Sequence, residues 1–168
     1  MHTTSATAAK AEADNIFLNE LKKMKFYFDR SCPRPFVKEA TTYLMHKRGR
    51  NSKGFHIQPG SKHEAGVWIY LGSPEEMEQR YGMHKHLKGL SVTDSRSSPI
   101  IIDIHSGNWT NPPSKFKGSQ QEYRAYLINH EMGHALGFGH TKLGKGKCQL
   151  MAQQTKGTQG CIPNGYPN

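Results

Sequence analysis

The chain has 168 residues, with 23 Lys and Arg against 13 Asp and Glu for a formal net charge of +10. That is one domain's length, enough to bury roughly two-thirds of the unfolded surface without staples, and no window reaches the ~18 apolar residues of a membrane helix. Composition thus excludes a membrane-spanning helix and, with three cysteines, a disulfide scaffold, while the basic surplus suits an acidic substrate, a polyanion or an anionic surface.

In chain order, residues 1–15 are small and polar and read as a flexible arm ahead of a single domain over 16–168. They hold no apolar run of the kind that forms a secretory signal. Residues 25–29 predict a strand. Pro33 and Pro35 mark a turn, and Phe36, Val37, Ala40, Tyr43 and Leu44 recur at helical spacing as far as about Lys47. The cluster Lys47, Arg48 and Arg50 reads as solvated surface, and residues 48–54 as a loop or turn. Strands follow at 55–57 and 67–71, separated by Pro59-Gly60. Ser73, Pro74 and Glu76 carry a capping-box signature for a short helix ending near Gly82. A strand over 89–94 precedes a stronger one over 99–104, whose run of isoleucines suggests burial on both faces. A loop is expected over 106–118, a helix over about 119–136, and an irregular tail. The order strand, helix, strands, helix predicts an α+β fold, an α/β sandwich with one sheet and two main helices.

Between Asn129 and His140 the chain reads HExxHxxGxxH, a pattern its composition would produce by chance about once in 5,000 sequences. On a helix His130 and His134 stand one turn apart, about 6 Å along the axis and on one face. Their imidazoles can therefore meet one ion at about 2.0–2.1 Å. Glu131, beside the pair, can address a water without occupying a coordination position. Gly137 ends the helix at no steric cost and lets His140 return as third ligand. Three nitrogen ligands leave a fourth position open, the arrangement of a catalytic rather than a structural zinc. The reading is one Zn²⁺ on His130, His134 and His140, with Glu131 as general base and acid in hydrolysis by a metal-activated water.

These residues resemble the metzincin zinc endopeptidases, in which a methionine turn underlies the metal. Met151, within Gln149-Leu150-Met151-Ala152 and eleven residues after His140, stands at the matching position. Residues 123–164 also resemble a small secreted actinobacterial peptidase domain, through Cys148, Met151, Gln153, Gln154, Thr155, Gly160, Cys161, Pro163 and Asn164. The resemblance implies a twisted mixed sheet of four to five strands with an irregular C-terminal subdomain. It also implies an extended peptide on a sheet edge, and Ala152, Gln153, Gln154 and Thr155 around the pocket beyond the cut. No tyrosine follows Met151 where astacin-like members have one, so none is expected to reach the metal from that turn.

Cys148 and Cys161 bracket a Gly-rich loop, and either close it with a disulfide or stay reduced inside a cell. The pair and the resemblance together favour secretion. Cys32 could in principle cap the metal, but Ser31-Cys32-Pro33-Arg34 does not match the matrix-metalloprotease switch. His105, after the isoleucine strand, is a further candidate for the site. The expected partner is a protein or peptide, an acidic one suiting the charge, and the expected state is a monomer. Two other readings compete: a basic anion- or nucleic-acid-binding domain with a structural or vestigial zinc, and a protease acting on DNA-attached protein. No stretch interleaves aromatics with arginine as a single-strand binder does.

Overall fold

Apolar strands and two capped helices define a mixed α+β architecture in the computed structural model, which describes residues 6–21 and 23–168. The five strands are β1 (Lys23–Phe28), β2 (His56–Pro59), β3 (Val67–Gly72), β4 (Val92–Asp94) and β5 (Ile100–His105). They form one sheet in the order β2-β1-β3-β5-β4. The first four are mutually parallel, and β4 runs antiparallel to β5 at the edge, with Thr93 opposite Ile102. Register puts Phe26 beside Val67, and Ile69 beside Ile102. With side chains alternating across a strand, Phe26, Val67, Ile69, Ile102 and Ile104 share one face, all buried to 1% exposure or less.

Helices α2 (Arg34–Leu44) and α5 (Gln120–Ala135) contribute buried residues to the same core. In α2 the buried residues are Phe36, Ala40, Tyr43 and Leu44, the stripe expected from spacing. The helix stops three residues before Lys47. Arg124 on α5 binds both carboxylate oxygens of Glu39 on α2, at 2.9 and 3.1 Å, and its Nε donates to the Trp109 carbonyl. On the opposite face, α3 (Pro74–Tyr81) starts at the expected Ser73–Glu76 capping box. It presents Arg80 and Tyr81 to Asp103 in the middle of β5. The isoleucine strand is thus covered on both sides, but its second face is closed by a buried carboxylate and its partners.

Three expectations need correction. Residues 6–15, read as part of a flexible arm, belong to helix α1 (Ala6–Leu21). Alanines at 6, 8, 9, 11 and 13, the strongest helix formers, outweigh the missing apolar stripe, and every side chain from Ala6 to Ile16 is exposed. Residues 1–5 of that arm lie outside the described residues. The expected loop over 106–118 opens with a short helix, α4 (Ser106–Thr110), capped by the His105 ring accepting from the Asn108 N–H at 3.2 Å. Five helices therefore stand among the described residues where two main ones and the short one after Ser73 are expected, α1 and α4 being the additions. Beyond α5 the chain is irregular, as expected, apart from a 3₁₀ turn at Gln154–Lys156. This tail crosses α5 so closely that a Cβ on Gly165 would lie 2.7 Å from the Tyr126 nitrogen.

Candidate metal centre

Helix α5 carries the first two histidines between defined ends. Ser119 and Glu122 form a reciprocal capping box at its start. At its end Gly137 adopts φ 95°. The Gly137 and Phe138 N–H groups then donate back to the carbonyls of His134 and Gly133 at 3.0 and 2.9 Å, the paired bonds of a left-handed helix stop. The chain reverses as the Gly137 signal predicts and brings His140 against the helix. The next residue, Thr141, donates its N–H to the Met151 carbonyl at 3.1 Å.

Nε2 of His134 stands 3.2 Å from Nε2 of His130 and 3.1 Å from Nε2 of His140, and the three ligand atoms lie within 4.8 Å of one another. Nitrogens on a tetrahedral zinc at 2.0–2.1 Å are roughly 3.3 Å apart, so the set has the dimensions of such a site. The tautomers agree. Nδ1 of His130 faces the Leu150 carbonyl and Nδ1 of His134 faces the Phe138 carbonyl, both at 2.8 Å. A carbonyl only accepts, so each Nδ1 carries the hydrogen and each Nε2 keeps its lone pair. Burial pushes the His130 imidazole down to about 3 and also lowers His134 and His140, which favours the neutral, ligating forms. The donor set fits a zinc ion.

Glu131 is 5% exposed. Its carboxylate accepts from the Thr93 hydroxyl on β4 at 2.5 Å, and burial pushes the acid up to about 7 against that hydrogen bond. Thr93 carries no sequence signal of its own; only the antiparallel edge strand brings it to α5.

A second unanticipated residue lies beneath the histidines. Arg50, read from sequence as solvated surface, is 4% exposed. Its Nη2 is 3.2 Å from Met151 Sδ, and its guanidinium carbon lies 4.6 Å over the Phe138 ring. Burial lowers its pKa to about 10, so it stays cationic at neutral pH. It therefore touches the residue whose carbonyl holds His134 and the neighbour of the residue whose carbonyl holds His130. Gly133 makes room for it: a Cβ there would lie 2.3 Å from Nη2 and 2.4 Å from Sδ. Met151 thus meets α5 at Gly133 and touches Arg50.

Above the imidazoles lies a cavity of about 850 Å³, within the range of ligand sites. Val92 and Thr93 of β4, Leu87 and Leu90 before it, Tyr126 and Leu127 of α5, and Gln153, Thr155 and Lys156 contribute to its lining. Of the four residues expected to wall a pocket after Met151, Gln153 and Thr155 reach it. Ala152 and Gln154 are fully buried instead and do not line it. Gln154 donates to the Gln149 and Asn164 carbonyls and accepts from the Asn164 N–H. Cys148 and Cys161 form a disulfide around this turn. His105 is absent from the cavity lining and serves as a helix cap. Cys32 is also absent from it; its thiol donates to the Ile69 carbonyl and is pushed up to about 11 by burial. Among the described residues no helix is long and apolar enough to cross a membrane.

Comparison with curated proteins gives no match. Residues 46–161 match a family model described as "Protein of unknown function (DUF3152)", a span that includes the three histidines, Glu131, Met151 and both bridged cysteines. With more than two-thirds of its length matched, the chain belongs to the DUF3152 family.

Proposed function

We propose that this domain is a zinc-dependent endopeptidase of the metzincin type. The observation that carries the reading is the convergence of three imidazole Nε2 atoms beside a buried glutamate beneath a cavity. His130, His134 and His140 would hold the ion, which when bound supplies a Lewis acid that polarises a carbonyl and lowers the pKa of water toward about 7. Glu131 accepts the proton of the attacking water and returns it to the departing amine. Its raised pKa suits both roles, because an acid near 7 can take a proton and give it up again at neutral pH. Thr93 holds the carboxylate in place from the edge strand.

An extended peptide would pair with the open side of β4, which borders the cavity and has one neighbour in the sheet. The disulfide supports action outside the reducing cytosol. The test is metal analysis of the purified full chain together with cleavage of a broad peptide library, before and after chelation and zinc restoration. One zinc per chain, with cleavage lost on chelation and regained with zinc, is the expected result. A zinc-loaded chain inert toward every peptide would refute the reading and favour a binding domain.

A further inference from the structure

The cavity over the histidines has one permanently cationic group in its lining. Among its described lining residues Lys156 is the sole lysine or arginine, and Glu131 the sole acid. Glu131 is already buried against the Thr93 hydroxyl, so it does not offset the ammonium at the cavity surface. Lys156 is exposed and has no carboxylate partner among the described residues. Its Nζ reaches the Gln153 side-chain oxygen at 3.4 Å, a long contact that leaves donors for another ligand. It shares the cavity lining with His140.

The backbone that presents this lysine is fixed. Lys156 ends the 3₁₀ turn, and its neighbour Gln154 is fully buried, with the backbone N–H donating to the Tyr126 hydroxyl at 3.0 Å. Thr155 pairs with the Tyr123 hydroxyl at 3.1 Å. A flexible side chain on so firmly held a turn is placed to read charge rather than shape, because lysine acts as a point cation on a mobile stem.

Resting on the peptidase reading, we propose that Lys156 selects substrates bearing a carboxylate beside the scissile bond, from an Asp or Glu side chain or from the peptide's own C-terminus. Charged hydrogen bonds in partly open sites suggest a preference of about tenfold over the neutral amide counterpart. It should shrink as salt screens the pair.

The zinc-loaded full chain is assayed on matched peptides with Glu, Gln or Lys on either side of the cut and amidated C-termini. A further neutral peptide, cut next to its end, is offered with a free or an amidated terminus. Lys156→Gln and Lys156→Glu are compared with wild type after zinc content and melting temperature are measured for each. The expected Glu:Gln ratio in kcat/KM is about ten in wild type, near one in Lys156→Gln, and below one in Lys156→Glu. The free-terminus arm shows which carboxylate is read. Cleavage with no carboxylate preference, or a preference that survives Lys156→Gln, overturns the inference while leaving the peptidase intact. Absence of cleavage of any peptide overturns both.

Discussion

Gly133→Ala adds one methyl group to α5, one residue before His134. In a helix interior the change itself favours folding by up to about 1 kcal/mol. Here the methyl would fall 2.3 Å from Arg50 Nη2 and 2.4 Å from Met151 Sδ, inside contact distance for both, and neither neighbour is more than 6% exposed. Overpacking of that kind costs about 1–3 kcal/mol, so the net effect is a loss of up to about 2 kcal/mol. Relief requires Arg50 or Met151 to move. Arg50 lies over Phe138, whose carbonyl holds His134, and Met151 follows Leu150, whose carbonyl holds His130. Loss of such supporting hydrogen bonds typically weakens metal binding 10–100-fold. Chemical denaturation and chelator competition measure the two effects. A Gly133→Ala protein with wild-type stability and zinc affinity would refute the claim that Arg50, Met151 and Gly133 form the fitted floor of the site.

Thr93→Val removes the hydroxyl that donates to Glu131 while keeping shape. Cleavage should fall about tenfold or more with zinc content unchanged, since hydrogen bonds to charged groups are worth about 1.5–3 kcal/mol; unchanged kinetics would deny the residue its positioning role. The zinc-free protein should lose stability as pH falls from about 6.5 toward 3, because unfolded His130 takes a proton there that its buried form refuses. The effect reaches at most about 1.4 kcal/mol per pH unit, so thermal melts of His130→Gln should show a shallower acid slope, and an identical slope would count against it. Reducing Cys148–Cys161, thirteen residues apart in sequence, should cost roughly 3 kcal/mol by loop entropy. Melting in reductant checks this, and no change would mean that the tail is held by Gln154 and Asn164 alone.

The histidine triad is legible because helix periodicity alone places His130 beside His134, and Gly137 announces the reversal that returns His140. The capping box at Ser73 likewise marks a helix start that the structure keeps. What escaped depends on distant parts of the chain meeting. Arg50 sits in a run of basic residues that looks solvated, and its burial depends on Met151 and Phe138, which lie far along the chain. Thr93 is a threonine on a three-residue strand until β4 turns antiparallel and meets α5. The expected pocket wall over 152–155 failed at alternate residues for a similar reason: an irregular turn gives no periodicity from which to read which side chains face the cavity. Over 6–15 the polarity points to an arm, whereas the alanine content favours a helix that has no apolar stripe to announce it.

The most direct test of a zinc peptidase is the cleavage rate of the Glu131→Ala chain, measured beside wild type at equal, verified zinc occupancy. Glu131 is no part of the ligand set, so the variant should keep one zinc per chain and lose 10²- to 10⁴-fold in rate, the usual contribution of a general acid–base group. Cleavage by the variant as fast as by wild type would contradict the role given to Glu131, and inertness of both zinc-loaded forms would contradict the enzyme itself.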